Sequence, residues 1–423
     1  MQDDDLNRSV AKLLQPAGSE PSESHFSELD IESVVVAYYA IELDMSYEEI
    51  ERMMGLSRAT VARRLLHAKT MGWILPPRLR IPPALKTACE RRVHCLDLEE
   101  ELERLFRAFG LRKATVVLDK RVRNDGAYEV TQRVGQAAAA RLMDALDKRA
   151  RSAEPDRIVI GINWGYSTRW VVQYLSPQES ENPDLAFVPL IGNLSVDERR
   201  KKEYEEAWLC SANRLARLAS EKFQSGDPRR LTTPAIIPRK FLRDKQKLEA
   251  AWELIEEDAS YKRIFGAGHR RGGPAEEDTL IGRMDTIVTG MSALEPTSSL
   301  VDMAHLLEPG ELEPLKEAGY VGDLCGHLIY DPEKKVSNPN AVKLARALGE
   351  LVVSARPEDF KAVAERAAAS DDPWKGVFMI GRGLRKAAAL VAACRMRAVT
   401  EIFTDSSTAE VMIELMGGKA CPQ

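Results

Sequence analysis

The feature that most constrains this chain is an alternation, beyond residue 157, between short apolar runs and segments with helical periodicity. Five such runs read RIVIGI (157–162), LAFVPLIG (185–192), DTIVTG (285–290), GVFMIG (376–381) and TEIFTD (400–405). Strands alternating with helices predict an α/β domain with a mostly parallel sheet and helices on both faces. In such sheets ligands bind where loops leave the carboxyl ends of the strands.

A second feature is positive charge concentrated in GLSRATVARRLLHAKTMGW (55–73), within a chain whose formal net charge is −5. Between residues 57 and 80 there are six Lys or Arg residues and no Asp or Glu. The overall acidity argues against a protein that coats nucleic acid with its whole surface. A local basic patch is nevertheless the electrostatic signature of a specific nucleic-acid contact.

The pattern around this basic segment predicts a helix-turn-helix. Ser46 can cap a first helix, Gly55 suits the left-handed residue that ends it, and Ser57 can cap the second helix. Apolar residues then recur every three or four positions, as a helix with one buried stripe requires. That stripe would consist of Val61, Leu65 and Ala68.

The second helix of this motif enters the DNA major groove, and its first turn meets the base edges. Its polar and basic side chains lie off the apolar stripe and are expected to face solvent. The alternative without a DNA-binding role is a solvated basic helix in an ordinary helical hairpin. The glycine turn, the serine cap and the cationic face together favour DNA binding. The predicted DNA-binding residues are Ser57, Arg58, Ala59, Thr60, Arg63, Arg64 and Lys69.

Composition and proline placement predict the domain organisation. Residues 1–29 are rich in Ser, Asp, Glu and Gln, and are expected to form a disordered tail. The helix-turn-helix domain is expected at 30–80, and the prolines of PPRLRIPP (76–83) mark its end. A linker at 81–95 would lead to a larger domain at 96–423.

Two glycine-bearing segments follow predicted strands in the larger domain. GINWGYSTRW (161–170) places Gly165, Ser167 and Thr168 at a helix N-terminus, where free amides and the helix dipole favour an anion. An ordinary strand-to-helix turn is an equally good interpretation of this loop alone. GRGLRKAAAL (381–390) repeats the arrangement with Lys386, although a lone lysine there is more often a surface residue.

A third segment, VGDLCGHLIYD (321–331), carries Asp323 and His327, each directly after a glycine. A carboxylate and a cation at strand ends could hold the hydroxyl and phosphate groups of a sugar. The sequence alone does not show that the three segments converge. HRRGGPAEED (269–278) has the composition of a mobile surface loop.

The six cysteines are scattered and include no C-x-x-C pair, so a structural zinc site or a disulfide scaffold is not expected. We expect no cofactor and no metal. The acidic start, MQDDDLNRSV, lacks the pattern of a signal peptide, and no apolar run is long enough to cross a bilayer. These features predict a cytoplasmic protein without a membrane partner.

Across residues 30–415 the chain resembles the SorC/DeoR-type sugar-binding transcriptional regulators of bacteria. YEEIERMMGLSRATVARRLLHAKTMGWI is similar to the family's helix-turn-helix, and GINWGYST to its phosphate loop. The segments LTTPAIIP, GYVGDLCGHLIYD, GRGLRKAAALVAACR and FTDSSTAEVM follow in the family's order. Asn163 and Arg382 replace family glycines, and an insertion is expected near 268–282.

The resemblance implies an effector-binding domain related in fold to sugar-phosphate isomerases and deaminases, in a protein that binds operator DNA. Family members are usually tetramers and mostly repressors that a phosphorylated sugar or related metabolite releases. The resemblance assigns Ser167, Thr168, Asp323 and Lys386 to the effector. The predicted effector site also includes Gly165 and Gly192.

Two functions remain open from the sequence. The leading one is a homo-oligomeric, non-enzymatic regulator whose affinity for operator DNA is controlled by a sugar or sugar-phosphate effector. The alternative is an enzyme like a sugar-phosphate isomerase or deaminase with an appended helical hairpin. Such an enzyme needs a positioned base and a second acid, and the predicted loops show no compact pairing of His with Asp or Glu.

Overall fold

The computed structural model describes residues 27–41, 45–71, 74, 95–119, 127–150, 157–176, 184–193, 209–225, 229–271, 276–296, 306–308, 310–334, 338–370 and 372–418. The chain divides into two compact units, Met1–Arg80 and Ile81–Gln423. Almost all of the expected tail and linker lies outside the described residues, as does PPRLRIPP. No described helix is long and apolar enough to cross a membrane.

The first unit contains three described helices: α1 (Glu28–Ile41), α2 (Tyr47–Met54) and α3 (Arg58–Met71). Its first helix begins at Glu28, just inside the segment that was expected to be disordered. The three helices share one small apolar core, because the stripe of α3 packs against α1 and α2. The buried core residues are Val36, Ala37, Ile50, Val61, Leu65 and Ala68.

Local sequence explains the turn between α2 and α3. Ser46 and Glu49 form a reciprocal capping box at the start of α2. Gly55 ends α2 with φ 66°, a conformation that costs a residue with a side chain more than it costs glycine. The Ser57 hydroxyl accepts the backbone N–H of Thr60 (3.2 Å) and so caps α3. All three capping predictions are confirmed.

The second unit is built on a parallel sheet of six strands in the order β1-β9-β8-β4-β2-β3. Each strand is almost wholly buried, as expected for a sheet covered on both faces. The α/β prediction is therefore confirmed. The strands are β1 (Lys113–Val117), β2 (Ile158–Ile162), β3 (Leu185–Pro189), β4 (Thr286–Gly290), β8 (Gly376–Ile380) and β9 (Glu401–Asp405).

Helices cover both faces of this sheet. The first group, which packs with one hydrophobic cluster, comprises α5 (Ala127–Ala150), α6 (Tyr166–Tyr174) and α7 (Ala212–Lys222). The second group comprises α4 (Leu96–Phe106), α8 (Lys245–Glu257), α9 (Ala259–Phe265), α10 (Leu312–Glu317), α11 (Pro339–Gly349), α12 (Pro357–Ala368), α13 (Ala387–Arg395) and α14 (Ser406–Leu415). Because β2 is followed by a helix of the first group and β4 leads to the second, a crevice opens between these neighbouring strands.

A second, antiparallel sheet follows β4 and consists of β5 (Ser292–Ala293), β6 (Tyr320–Leu324) and β7 (His327–Tyr330). The segment expected at strand ends of the main sheet is therefore a hairpin of its own. Asp323 pairs in register with Ser292, which lies just beyond the carboxyl end of β4. This pairing brings the hairpin to the carboxyl edge of the main sheet.

The segment expected to be a mobile surface loop is, in part, anchored. His269 is 4% exposed, and its Nε2 lies 2.8 Å from Oδ2 of Asp359 at the start of α12. Its ring also stacks on Phe265, with the centroids 4.7 Å apart. The prediction of a mobile loop was wrong for His269, because the sequence could not show a partner that lies 90 positions away in the chain. Residues 272–275 of the segment lie outside the described residues.

Candidate functional site

A cavity lies at the carboxyl ends of β2, β4 and β8, which are neighbours in the main sheet. Register places Gly290 at the end of β4 opposite Ile380 at the end of β8. The cavity encloses about 570 Å³ including its opening to solvent. The lining residues are Asn163, Trp164, Gly165, Tyr166, Ser167, Cys210, Gly290, Met291, Ser292, Asp323, Cys325 and Lys386. The cavity thus joins residues from all three segments that the sequence singled out.

The first wall is the N-terminus of α6. Gly165 precedes this helix with φ 125°, and an added Cβ there would meet no heavy atom within 4 Å, so backbone conformation is what favours glycine. The backbone amides of Ser167 and Thr168 donate to no acceptor within the described chain. Unpaired amides at a helix start, with the positive end of the helix dipole, favour an anion at this wall.

The two hydroxyls of this wall differ in their roles. Ser167 lines the cavity. Thr168 is fully buried and does not line it; its Oγ1 accepts the backbone N–H of Gly290 (3.1 Å). The Thr168 hydroxyl therefore ties α6 to the end of β4.

The second wall carries Lys386, in a 3₁₀ turn that leads into α13. The backbone N–H of Gly383 donates to Oδ2 of Asp405 (3.0 Å) and to Oγ1 of Thr408 (2.8 Å), which fixes the loop. Burial lowers the pKa of the Lys386 ammonium, and the nearby Asp323 opposes this effect. The Lys386 ammonium has no hydrogen bond or ion pair with any described residue, so it is available to a ligand in the cavity.

The third wall carries Asp323, which is 2% exposed. Its Oδ1 accepts the backbone N–H of Gly326 (3.2 Å), whereas its buried Oδ2 has no hydrogen-bond partner. Burial raises the pKa of this carboxyl to about 6, although Gly326, Ser292 and Lys386 each favour the charged form. An unsatisfied buried carboxylate oxygen is costly, and a ligand hydroxyl or ammonium group would relieve that cost.

Together the three walls offer amides and an ammonium for an anion, and a carboxylate for a hydrogen-bond donor. This combination suits a small polar molecule with an acidic group at one end and hydroxyl groups at the other. Gly192 is not among the lining residues. A Cβ there would lie 2.5 Å from the backbone oxygens of Thr233 and Pro234, so this glycine permits close packing of two backbone segments.

Sequence reasoning missed several lining residues, notably Asn163 and Cys325. Asn163 Oδ1 accepts the backbone N–H of Trp164 (2.8 Å) and the Cys325 thiol (3.2 Å). Cys325 has φ 53°, unusual for a residue with a side chain, and burial raises the pKa of its thiol. The one signal for this pair in the sequence was the replacement of a family glycine by Asn163. Cys325 gave no signal, because its partner Asn163 lies 162 positions away in the chain.

Two histidine pairs lie close to the hairpin but outside the cavity lining. His269 pairs with Asp359, as described above, and His327 Nε2 lies 3.1 Å from the Ser354 hydroxyl. Burial lowers the pKa of His327 to about 4, so its imidazole is neutral near pH 7. The pair of His269 with Asp359 forms between distant segments and lies outside the predicted loops, so it does not contradict the expectation of no compact His–Asp pairing in those loops. Within the described chain no three His, Cys, Asp or Glu side chains cluster as metal ligands.

A second candidate surface is the polar face of α3. Ser57, Arg58, Ala59, Arg63 and Lys69 are exposed, and Thr60 is half-buried. Arg58 lies 3.7 Å from Glu48 in a loose, solvent-exposed pair. Arg63 donates to Oγ1 of Thr60 (3.1 Å). Most of the predicted contact residues thus share one accessible face.

Arg64 does not face solvent as predicted. Its Nε donates to Oε2 of Glu32 on α1, and both side chains are about three-quarters buried. His67 similarly lies against Asp30 of α1, with 2.7 Å between Nε2 and Oδ1. The helical pattern placed Arg64 off the apolar stripe but could not show that α1 passes beside it.

Comparison with known proteins shows what this chain is similar to. Residues 90–257 match the family model described as "Putative sugar-binding domain". The sorbitol operon regulator of Klebsiella pneumoniae is 30% identical over 210 residues, which are 49% of this chain. The chain spans 57% of the length of that relative.

Solved structures share the fold. The full-length sorbitol operon regulator SorC from Klebsiella pneumoniae superposes with a TM-score of 0.51 at 20% identity, covering 92% of this chain and 100% of that chain. A DeoR family transcriptional regulator from Listeria monocytogenes gives 0.50 at 20% identity, covering 75% of this chain and 98% of that chain. The matches support the resemblance drawn from the sequence: this chain is similar to SorC-type sugar-binding transcriptional regulators and shares their fold.

Proposed function

We propose that this protein is a transcriptional regulator whose affinity for operator DNA is controlled by a phosphorylated sugar or related carbohydrate metabolite. The observation that carries the proposal is the convergence of the α6 N-terminus, Lys386 and Asp323 on one cavity. The first two groups are complementary to a phosphate, and the third is complementary to a hydroxyl group.

The proposed DNA contact is the exposed face of α3. Arg58 lies in the first turn of this helix, where base edges are met, and Arg63 and Lys69 are placed for phosphates. Glu32 and Asp30 pair with Arg64 and His67 on the side of α1. These two carboxylates of α1 are thereby paired within the first unit and do not pair with Arg58 or Arg63.

The names of the relatives support regulation rather than catalysis. The protein from Klebsiella pneumoniae is named as the regulator of a sorbitol operon. We infer that this chain likewise acts by binding and is not an enzyme. We further propose that it is a cytoplasmic homo-oligomer, a dimer or tetramer, because two-fold symmetric DNA sites are read by paired recognition helices.

One observation favours the enzymatic alternative. The carboxyl of Asp323, with a pKa of about 6 and a free Oδ2, has the properties of a general base. A sugar-phosphate isomerase or deaminase also needs an acid facing the substrate. Asp323 is the single carboxylate among the described lining residues, and no histidine is among them. We therefore rank catalysis second; NMR detection of product from incubated sugar phosphates would reverse that order.

The proposal is tested by calorimetric titration of the full chain with a panel of sugar phosphates and the matching free sugars. We expect at least one phosphorylated sugar to bind, and Lys386→Met to weaken its binding by roughly tenfold or more, because a charged hydrogen bond is lost. Lys361→Met is the control, since Lys361 is an exposed residue paired with Glu365 on α12. Equal affinities in all three proteins would contradict the site.

A further inference from the structure

We propose that Arg169 makes this cavity selective for a doubly charged anion, so that the effector is a phosphate monoester bound as its dianion. The proposal deepens the function proposed above and depends on it. Arg169 is not among the residues that line the cavity, and its role is to add positive potential behind the α6 N-terminus.

The position of Arg169 is set by the helix. Its backbone N–H donates to the carbonyl oxygen of Gly165 (2.9 Å), so it lies one turn from the residue that opens α6. Ser167, on the same turn, lines the cavity. A charge on this turn therefore acts on the same ligand group as the amides and the helix dipole.

The charge of Arg169 is buried and locally uncompensated. The side chain is 6% exposed, and its Nη2 is buried with no hydrogen-bond partner. No carboxylate of the described chain forms an ion pair with it. Its guanidinium carbon lies 5.7 Å from the ring centroid of Trp170, a contact that leaves the charge unneutralised.

A second arginine, Arg214 on α7, lies close enough to Arg169 for the two positive charges to interact. The pKa of Arg214 on α7 falls to about 10, mainly through burial and then through the positive charge of Arg169. Arg214 also donates to the carbonyl oxygen of Leu209 (3.4 Å), next to Cys210 in the cavity wall. Two desolvated guanidinium groups thus stand behind the wall where the anion is expected.

A buried cation without a counter-ion is costly, and a bound anion lowers that cost in proportion to its charge. Screening inside the protein is weaker than in water, so the second charge of a phosphate dianion should add strongly to its electrostatic attraction to Arg169. Asp323 discourages an anion at the opposite wall. The cavity therefore distinguishes a phosphate monoester from a carboxylate, a sulfate monoester or a neutral sugar.

The test compares two probes of equal size and different charge, methyl phosphate and methyl sulfate, in ligand-observed NMR titrations of the full chain. At about pH 8 the first carries two charges and the second one. The wild type should bind methyl phosphate at least roughly tenfold more tightly than methyl sulfate. Arg169→Met should reduce this ratio of affinities to about threefold or less. Arg169→Lys, which keeps the charge, should restore the ratio.

The matched control is Arg217→Met, which removes an exposed arginine of α7 paired with Glu221 (2.6 Å) and should leave the ratio unchanged. A ratio near one in the wild type, or an unchanged ratio in Arg169→Met, overturns the charge selectivity alone. Failure of the wild type to bind methyl phosphate at all overturns the phosphate site and, with it, the proposed function. A wild-type ratio near one overturns the charge selectivity even where Arg169→Met does not fold, and in that case Arg169→Lys against wild type tests the residue.

Discussion

Two neighbouring residues, Ser167 and Thr168, present their hydroxyls to different partners. Thr168→Val removes the acceptor for the buried N–H of Gly290, so we expect it to lower the free energy of unfolding by about 1–3 kcal/mol. Ser167→Ala removes a hydroxyl that faces the cavity, and should weaken phosphate binding several-fold while changing stability little. Urea denaturation of both variants measures the stability, and calorimetry measures the phosphate binding. A loss of stability in Ser167→Ala, with a loss of phosphate binding but not of stability in Thr168→Val, would contradict the described geometry.

Asp323 gives a prediction about pH. Its pKa in the folded chain is raised to about 6 from an ordinary value of 3.8, because burial disfavours the carboxylate. Ionisation therefore destabilises the fold as pH rises towards and through 6, and this cost is absent when the folded and unfolded chains are both protonated. Asp323→Asn has no carboxyl to ionise and therefore lacks this cost in stability.

The stability of Asp323→Asn relative to the wild type should accordingly increase between pH 5 and pH 8, by about 1 kcal/mol. Urea denaturation of both proteins at the two pH values measures the difference. The same variant should lose affinity for a sugar hydroxyl at pH 8, since a neutral amide is a weaker acceptor than a carboxylate. A relative stability independent of pH would show that Asp323 is not desolvated.

At this scale the sequence predicted the residues that depend on local structure. Ser46, Gly55 and Ser57 occupy their predicted caps, because capping involves neighbours within four positions. Cys325 and Asp359 could not be assigned, since their partners Asn163 and His269 lie far away in the chain. Tertiary packing, rather than local periodicity, creates such pairs.

At the scale of elements, α3 contains arginines with two kinds of environment. Arg58→Ala should weaken specific DNA binding by about 1–3 kcal/mol if Arg58 contacts a base, and leave stability unchanged because this side chain is exposed. Arg64→Ala should instead lower the stability of the first unit by about 1 kcal/mol, because it breaks the pair with Glu32. Fluorescence anisotropy with duplex DNA and thermal unfolding separate the two effects.

The strands and the two glycine loops were recognisable because their signals are short and local. Alternating apolar runs marked five strands of the main sheet, and both loops follow strands as expected. The hairpin of β6 and β7 was not recognised as an antiparallel unit. Its strands are short, and its partner β5 contains only two residues, Ser292 and Ala293, so its pattern is too brief to reveal the pairing.

At the scale of the whole molecule, an effector-controlled regulator requires that the binding of one ligand influence the binding of another through the chain. An effector can shift DNA affinity only if it binds differently to the DNA-bound and free conformations. Such coupling is typically about 1–3 kcal/mol, or roughly 5–150-fold, and it is reciprocal. Operator DNA should therefore change effector affinity by the same factor that the effector changes DNA affinity.

Effector control of DNA binding is measured as the affinity of the full chain for a duplex selected by this protein from a random pool, with and without a saturating sugar phosphate from the calorimetric panel. We expect the sugar phosphate to change this affinity by about 5–150-fold, and to leave it unchanged in Lys386→Met at a concentration that does not occupy this variant. Identical DNA affinity with the cavity empty and occupied would contradict an effector-controlled regulator.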